Sequence, residues 1–347
     1  MLLKELSEAI GVSGAEEDVR AVILDAIKDH VEDIRIDPMG NVLAVKRGSG
    51  PKPDDVRVMI AAHMDEVGFM VMGIEGDGTL RVAQVGGFDP RVLPALRVVV
   101  GKDRVPGVIG WKPIHLGHER NVVELDRLRV DIGATSKEQA NGKVKVGDRA
   151  TFDTRYVEQG AVAMGKAFDD RAGCAVLIEL IQGDPFPFDL HVAFTVQEEV
   201  GLRGALVAAQ TIKPDVAFVL EGTMANDLPP AEDADPPAPT PVTELGKGPA
   251  LTLADRSVIV DPRLLDHLRA AAAAESIPYQ YKQAAVGGTD AGVISVANAG
   301  VPSAVISVPC RYIHGPRAMC SLEDVSNAVK LVRAALQRFS PDVLARR

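Results

Sequence analysis

The sequence predicts an α/β fold into which a small all-β unit is inserted, and three observations support this expectation. Residues 56–61 form a nearly continuous apolar run, which is typical of a strand covered on both faces of a sheet. From residue 66 to residue 164 the chain has only short β-type runs between Gly, Pro and Asp turns, a pattern that indicates a small barrel or sandwich. From residue 165 onward, helical and extended segments alternate again. We therefore expect one domain from residues 1–65 and 165–347 and an inserted domain from residues 66–164.

Apolar spacing and turn residues predict the individual elements. The periodicity predicts a helix over residues 15–31, and Ser13 followed by Glu16 predicts a capping box at its start. The turn at residues 38–41 predicts a hairpin. Within the insertion, the expected strands are residues 68–74, 79–85, 96–100, 104–109 and 127–132. Beyond it, the expected helices are residues 170–182, 202–209, 262–275, 290–299 and 322–338, and the expected strands are residues 190–195, 217–220 and 303–307.

Composition excludes several classes of protein. The 347 residues are 46% hydrophobic, enough for a large core, and 48 acidic residues outnumber 38 basic ones. No Lys/Arg-rich stripe is present, so nucleic acid is not an expected partner. No apolar run reaches the length of a membrane span, the N-terminus lacks the pattern of a signal peptide, and the three cysteines form no spaced framework. We expect a cytoplasmic protein with no membrane partner.

Side chains that commonly bind metals follow the buried strands. His63 comes directly after the first buried strand, and Asp65 can hold the other ring nitrogen of that imidazole. Glu221 and His314 come after two later strands. A lone histidine or carboxylate of this kind is more often structural than a ligand. Because ligands gather at the carboxyl ends of strands in an open α/β sheet, we expect these side chains to meet.

Two acidic pairs add to this set. Asp169 and Asp170 open a predicted helix, where a carboxylate can simply cap the helix. Two metal ions about 3.5–4 Å apart also need a bridging carboxylate, so Asp169 can bridge while Asp170 supports it. Glu198 and Glu199 follow another strand, and neighbours on an extended segment point in opposite directions. One can therefore bind metal while the other acts as general base, the alternative being a solvated acidic turn.

Two imidazoles and several carboxylates, with almost no cysteine, suit a pair of divalent ions better than a structural zinc finger. No Gly-x-Ser-x-Gly elbow is present, and the cysteines lack a catalytic context, which disfavours a covalent nucleophile. We interpret the sequence as that of a hydrolase with two divalent metal ions.

Three further segments leave alternatives open. In a glycine-rich turn, Asp290 can cap the next helix, or Thr289 and Asp290 can face the substrate. His115 and His118 in the insertion form a weak metal pair, and such residues are more often structural or at an interface. The Pro-rich segment 228–249 is either a surface linker or a loop near the substrate.

The main motifs occur in the order found in one known family. They are Ala62-His63-Met64-Asp65-Glu66-Val67-Gly68, Ala167-Phe168-Asp169-Asp170-Arg171, Val196-Gln197-Glu198-Glu199-Val200-Gly201, Gly287-Gly288-Thr289-Asp290-Ala291 and Arg311-Tyr312-Ile313-His314. With them the chain resembles the tetrahedral aminopeptidases, a group that includes glutamyl and deblocking aminopeptidases. The resemblance extends over essentially the whole chain, including residues 11–14 and 112–116.

The resemblance implies a mixed-sheet α/β/α metallopeptidase domain with an inserted small β-barrel domain used in dimerisation. It also implies assembly into a tetrahedral homododecamer. The implied activity is that of a metal-dependent aminopeptidase, which removes N-terminal residues from peptides through a water activated by two divalent metals, Zn²⁺ or Co²⁺.

The resemblance also implies a role for each motif residue. By position in the motifs, Asp169 bridges the metals, His63 and Glu221 complete one site, and Glu199 and His314 complete the other. Glu198 is the implied general base, and Asp65 orients His63. One position departs from the family pattern, since Glu221-Gly222-Thr223 stands where the family often has Asp-Val-Thr.

Two alternative functions remain open from the sequence. Related two-metal folds cleave several kinds of amide, so a metal-dependent N-acyl amino acid deacylase is the nearest alternative. A catalytically silent shell that binds peptides is the other. Such a shell would be expected to lose ligands or the base, whereas here every position is filled.

Overall fold

The structure is a computed structural model that describes residues 1–50, 56–111, 114–116, 122–228, 240–283 and 287–345. Its helices are α1 (Leu3–Glu8), α2 (Glu17–Ile27), α3 (Lys137–Asn141), α4 (Phe168–Gln182), α5 (Arg203–Ile212), α6 (Pro262–Ala274), α7 (Ala291–Ser295) and α8 (Leu322–Arg338). Its first strands are β1 (Glu32–Ile36), β2 (Val42–Lys46), β3 (Val58–His63), β4 (Gly68–Ile74), β5 (Leu80–Val85), β6 (Arg97–Val100), β7 (Val105–Gly110), β8 (Arg129–Asp131) and β9 (Arg149–Phe152). The remaining strands are β10 (Val157–Gln159), β11 (Val162–Gly165), β12 (Leu190–Thr195), β13 (Val216–Ala225), β14 (Ala250–Leu251), β15 (Gln280–Tyr281), β16 (Ser303–Arg311) and β17 (Ala318–Ser321).

A large mixed sheet organises the main domain, with the strand order β1-β2-β12-β3-β13-β16-β17-β11-β10. The four central strands, β12, β3, β13 and β16, run parallel, whereas the strands on both sides of them pair antiparallel. Every residue of β3 is buried, as expected for a strand covered on both faces. The parallel centre brings the carboxyl ends of four strands to one edge of the sheet.

Helices cover both faces of this sheet. On one face α4 packs against β3, β13 and β16 and also contacts α1, α2 and α8, while α6 packs on α8. On the other face α5 and α7 pack together against β12, β13 and β16. The predicted α/β/α architecture with a mixed sheet is therefore confirmed.

The insertion contains a closed barrel with the strand order β4-β5-β8-β7-β6-β9. Its hydrophobic core is separate from that of the main domain and includes Phe69, Val98, Val130 and Phe152. Phe69 and Phe152 meet edge to face with ring centroids 5.6 Å apart, a favourable aromatic geometry. The structure therefore has the barrel rather than the sandwich. Because β10 and β11 pair within the large sheet, the pairing favours a boundary before Val157, and the division into two domains stays a prediction.

The predicted capping box at the start of α2 is wrong. The helix begins at Glu17, and no side chain caps it. The Glu16 carboxylate instead accepts a hydrogen bond from the Gly14 amide, and the Ser13 hydroxyl donates to Asp65 over 2.6 Å. A tertiary partner 52 residues away in the sequence has displaced the local interaction.

Two strands are longer, and two helices are clearly shorter, than predicted. β13 and β16 pair in parallel through nine residues, from Ala217 opposite Ser303 to Ala225 opposite Arg311. The predicted strand ended at residue 220 because polar residues follow, but these residues remain in the sheet and Glu221 points into the site described below. The helix predicted over residues 290–299 is limited to Ala291–Ser295, and the helix predicted over residues 15–31 is limited to Glu17–Ile27.

Several smaller expectations can also be compared with the structure. Cys174, Cys310 and Cys320 are buried and unbonded, and His115 is exposed. His118, residues 112–113 and residues 229–239 of the Pro-rich segment lie outside the described residues. No helix in the described part of the chain combines the length and the apolar character that crossing a bilayer demands.

Candidate metal centre

Four side chains surround the carboxylate of Asp169 at the carboxyl edge of the large sheet. The Nε2 atom of His63 lies 3.2 Å from Asp169 Oδ1 and 3.1 Å from Glu221 Oε1. The Nε2 atom of His314 lies 3.2 Å from Asp169 Oδ2 and 3.3 Å from Glu199 Oε1. Each oxygen of Asp169 therefore faces a different imidazole, and each imidazole faces one further carboxylate.

The parallel strands explain why residues that are distant in sequence meet here. His63 ends β3, and Glu221 lies in the neighbouring strand β13. Glu199 follows β12 on the other side of β3, and His314 lies in the turn that joins β16 to β17. Asp169 enters from the start of α4, where its backbone angles are not yet helical. The structure thus brings together all five residues for which the sequence predicted metal binding.

Asp65 lies beneath this group and is completely buried. Its Oδ1 atom is 3.4 Å from Nδ1 of His63, on the opposite side of the ring from Asp169. Asp65 also accepts hydrogen bonds from the Ser13 hydroxyl and from the amides of Glu198 and Glu199. Burial alone would raise the pKa of Asp65, but its contacts with His63, Ser13 and the Glu198 amide hold that pKa below its usual range. One ionised carboxylate therefore positions both the histidine and the acidic pair.

The orientation of His314 is set by a backbone carbonyl of the barrel. Its Nδ1 atom lies 2.7 Å from the oxygen of Gly87. A carbonyl can only accept, so Nδ1 carries a proton, and Nε2, which faces Asp169 and Glu199, is the ring nitrogen left to bind a metal ion once its own proton is displaced. Metal-ligating imidazoles commonly have this arrangement.

The burial of so many acidic groups gives the site its electrostatic character. Burial raises the pKa of Glu199 to about 8 and raises that of Glu221 well above its ordinary value. Burial opposes the charged form of His314, but Asp169 and Glu199 raise its pKa to about 10. The two histidines cannot neutralise all these carboxylates, so the site favours additional cations.

Ligand spacing and an unpaired oxygen also fit metal ions. Ligands about 2.0–2.2 Å from one tetrahedral ion lie somewhat more than 3 Å from one another, which matches the nitrogen–oxygen distances of 3.1–3.3 Å around both imidazoles. The Oε2 atom of Glu221 is buried and has no hydrogen-bond partner among the described residues. Such an oxygen normally needs a partner, and a cation would provide one.

Gly222 allows Asp169 to approach β13 closely. A Cβ atom at this position would lie 2.8 Å from Asp169 Cα and 3.0 Å from Asp169 Oδ1. The departure from the family pattern at residues 221 and 222 therefore changes how closely Asp169 can approach β13. The longer side chain of Glu221 still reaches His63, and the glycine beside it leaves room for Asp169.

Asp170 holds the start of α4 and also contacts the end of β3. Its Oδ1 atom accepts from the Gly173 amide within the first turn of α4, and its Oδ2 atom accepts from the His63 amide. Carboxylate oxygens of Asp170 and Glu221 and a nitrogen of His63 lie within 4.8 Å of one another. Asp170 thus ties the start of α4 to the end of β3.

Glu198 and Thr289 line a cavity of about 520 Å³ beside the metal-ligand group. Asp290 is buried and does not line the cavity. It occupies the N-cap position of α7, where its side chain makes no capping hydrogen bond. Its Oδ2 atom accepts from the Thr195 hydroxyl, while Oδ1 has no partner among the described residues. Burial raises the pKa of Asp290 to about 6.

Sequence reasoning missed a buried ion cluster behind the site. Lys166 donates to both oxygens of Glu66 and to the carbonyl of Ala9, and Arg171 donates to the carbonyl of Met64. These contacts tie the segment before Asp169 to the segment after His63. All three charged residues occur within or next to the quoted motifs, but sequence spacing does not show that they pair.

A sequence profile described as M42 glutamyl aminopeptidase matches residues 40–331. The chain belongs to the M42 glutamyl aminopeptidase family. A lysyl aminopeptidase of Pyrococcus furiosus is 34% identical to this M42 chain, covering 98% of it and 97% of the relative. The recognition of the family from the motifs is therefore confirmed.

Solved structures agree with this assignment. A TET aminopeptidase from a marine sediment archaeon, Thaumarchaeota archaeon SCGC AB-539-E09, is 39% identical with a TM-score of 0.90, covering 99% of this chain and 97% of that one. The TET1 peptidase of Pyrococcus horikoshii is 32% identical with a TM-score of 0.85, covering 97% and 98%, and it can assemble into a tetrahedron or a large octahedral shell. Family membership makes this M42 chain a hydrolase of the aminopeptidase class.

Proposed function

We propose that this chain is a two-metal aminopeptidase. Asp169 would bridge two divalent ions, with His63 and Glu221 completing one site and Glu199 and His314 completing the other. The observation that carries the proposal is that each oxygen of Asp169 lies 3.2 Å from a different imidazole nitrogen. Zn²⁺ and Co²⁺ fit this mixture of imidazole and carboxylate ligands.

The chain's own residues would supply the remaining chemistry. Bound divalent ions supply Lewis acidity toward the scissile carbonyl and toward a water molecule. Glu198 would accept the proton of the attacking water and later pass it to the leaving amine. Burial raises the pKa of Glu198 well above its ordinary value, which suits a group that must take up and release a proton. The surrounding carboxylates would attract the free α-amine of a peptide.

The role of Glu198 is tested by Glu198→Gln. We expect this variant to bind both metals and to lose at least about 100-fold in kcat, since general-base catalysis contributes about 10²–10⁴-fold. Metal content by mass spectrometry and turnover of an aminoacyl anilide would be measured together. Glu17→Gln, at an exposed position in α2, is the control. Near wild-type turnover in Glu198→Gln would remove this residue from the base role.

Free and N-acetylated aminoacyl anilides separate the aminopeptidase from the deacylase. The protein would be stripped of metal and refilled with Zn²⁺, Co²⁺ or Mn²⁺ before the assay. Metal-dependent cleavage of free-amine substrates alone is the expected result. Cleavage of blocked substrates alone would change the assignment to an N-acyl amino acid deacylase, and no cleavage with any metal would favour the silent peptide-binding shell.

We also propose self-association of this chain into dimers through the barrel and into a tetrahedral homododecamer. The likeness to the shell-forming TET1 peptidase across 97% of the chain supports this. Enclosure of the sites within a shell would restrict substrates to unfolded peptides. Native mass spectrometry should show twelve subunits, and a stable monomer would contradict the proposal.

A further inference from the structure

Asp169 lies in a stretch of backbone that regular helical geometry does not hold. Ala167 has a left-handed backbone, with φ +56°, and the two residues at 169 and 170 also depart from helical angles. Their φ and ψ are −86° and 106° for Asp169 and −118° and 40° for Asp170. In a regular helical turn, the helix itself fixes the direction of each side chain. The position of the Asp169 carboxylate therefore depends on the contacts of the residues before and after it.

The side chain of Lys166 connects this stretch to the segment that carries His63. Its Nζ atom donates to both carboxylate oxygens of Glu66 over 2.7 Å and to the carbonyl of Ala9 over 2.9 Å. Charge-assisted hydrogen bonds of this kind are about twice as strong as neutral ones. Lys166 stands three residues before Asp169. Glu66 stands three residues after His63. The ion pair therefore links the two segments whose side chains, His63 and Asp169, face each other across 3.2 Å.

Glu66 is held from several directions. Its Oε1 atom accepts from the amide of Gly11, and its Oε2 atom accepts from the hydroxyl of Thr151 in the barrel strand β9. Arg171, on the other side of Asp169 in the sequence, lies 3.5 Å from Glu66 Oε1. The Glu66 side chain is only 3% exposed. Glu66 is therefore a fixed anchor for the cation that precedes Asp169.

The ion pair also borders the metal ligands. Glu66 and Lys166 line a small cavity of about 10 Å³ together with Asp169, Glu199 and His314. A volume of this size admits about one water molecule. Little space therefore separates the pair from the ligands, and a displacement of Lys166 would be passed on to Asp169.

We propose that Lys166 is a positioning residue of the metal centre. Paired with Glu66, it holds Asp169 at the distance from both imidazoles at which one carboxylate can bridge two ions. This inference rests on the proposed two-metal function. Lys166 acts through Asp169 and not on the substrate. A lysine with a purely structural role would contribute to the stability of the fold and leave the affinity for ions unchanged.

Lys166→Met tests this role, and Lys46→Met is a matched control. Lys46 is also buried, and its ammonium group donates to the carbonyls of Ile181 and Gly183 at the opposite end of α4. Both variants lose buried contacts with the ends of this helix and should unfold at a lower temperature than the wild type.

Metal binding should distinguish the two variants. The metal-stripped proteins would be titrated with Zn²⁺ in a calorimeter. The affinity for at least one ion should fall about 10-fold or more in Lys166→Met, the usual effect of changing a residue that supports a metal ligand, and less than about 3-fold in Lys46→Met. With saturating Zn²⁺, the kcat of Lys166→Met for a leucyl anilide should fall while KM changes less than about 3-fold, because the lysine does not contact the substrate.

A double variant separates positioning from folding. Lys166→Met leaves the buried carboxylate of Glu66 without this cation, so part of its effect is a loss of stability. Adding Glu66→Gln removes that negative charge and should restore part of the unfolding temperature. The weakened binding of Zn²⁺ should remain in the double variant, because the connection between the segments of His63 and Asp169 is still missing.

Three results would overturn the positioning role. The first is an affinity for both ions within about 3-fold of the wild type in Lys166→Met, and the second is an equal loss of affinity in Lys46→Met. The third is an affinity that recovers together with the unfolding temperature in the double variant.

The proposed function is judged separately, by cleavage of anilides by the wild type. Cleavage by the wild type combined with unaltered Zn²⁺ binding in Lys166→Met would support the proposed function and reject the positioning role. Binding of two ions that depends on Lys166, without cleavage of any anilide, would support the positioning role and reject the proposed function.

Discussion

His63 and His314 both face Asp169, but the molecule holds them in different ways. The side chain of His63 is 1% exposed, and its strand lies between two parallel neighbours. The side chain of His314 is 37% exposed and extends from a turn in which its own φ is +58°. It also depends on the carbonyl of Gly87 in the barrel. We call His63, Asp65 and Glu221 the inner half of the centre, and Glu199 and His314 the outer half.

The difference shows that two levels of structure build one site. The inner half follows from sheet register, which is strongly specified where strands are buried. The outer half depends in addition on how the barrel lies against the main domain. We therefore expect the inner half to be the more rigid and to retain its ion more firmly.

The largest effect is expected from Asp169→Asn, which changes the residue shared by both halves. Loss of the bridging charge should release at least one ion and lower kcat at least about 1,000-fold, because an ion contributes several kcal/mol of charge stabilisation. Metal stoichiometry and turnover would be measured, with the exposed Asp29→Asn as control. Two tightly bound ions in Asp169→Asn would show that the halves do not share this ligand.

The second prediction compares His63→Ala with His314→Ala. His63→Ala should lower the free energy of unfolding by about 1–3 kcal/mol, whereas the more exposed His314→Ala should change it by about 0.5 kcal/mol or less. Both should lose most activity. Added imidazole should restore part of the activity of His314→Ala alone, because only that position opens to solvent. Equal rescue of both variants would contradict the division into inner and outer halves.

The third prediction concerns the glycine between the halves. In Gly222→Ala the new methyl group would lie 2.8 Å from Asp169 Cα, and overpacking of this kind costs about 1–3 kcal/mol. Asp169 must move, so we expect weaker binding of both ions and lower turnover. Gly76→Ala in the barrel is the matched control, since a Cβ there meets nothing within 4 Å. Unchanged metal affinity in Gly222→Ala would mean that Asp169 tolerates displacement.

The smallest effect on the metal centre itself is expected from Glu16, which lies behind the inner half and changes only the free energy of unfolding. Burial raises the pKa of Glu16 from about 4.5 to about 7, and the charge of Asp65 adds to this. Because the folded-state pKa exceeds the unfolded one, the stability contributed by protonated Glu16 is fully present below pH 4.5 and is lost as the pH rises through 7. The free energy of unfolding falls by at most about 3 kcal/mol over this pH range.

Glu16→Gln should therefore be more stable than the wild type at pH 8 and similar to it at pH 5. Calorimetric unfolding at both pH values would measure the difference, with Glu17→Gln as an exposed control. A constant difference between wild type and Glu16→Gln at the two pH values would show that the carboxyl group does not titrate in this window.

Strong local patterns made much of the fold and the site predictable. Three predicted elements, β4, β12 and α8, have the bounds found in the structure. Four of the five candidate ligand residues could be found because each comes after a predicted strand, and parallel strands bring such ends together, whereas Asp169 could be found because it opens a helix. The ends of β13 and β16 could not be found, because their last residues are polar or break the apolar pattern and are kept in the sheet by pairing with each other.

The sequence by itself determined the α/β class, the inserted β unit and the set of residues that meet at Asp169. Local residue patterns were sufficient for this, because they indicate which apolar runs are buried and where each strand ends. Only the tertiary structure decided which partners those residues have. Ser13 binds Asp65 instead of capping α2, and Asp65 holds the amides of Glu198 and Glu199. The partners in these contacts lie far apart in the chain. Whether they meet depends on strand order and on which acceptors reach a buried donor. Residue spacing encodes neither.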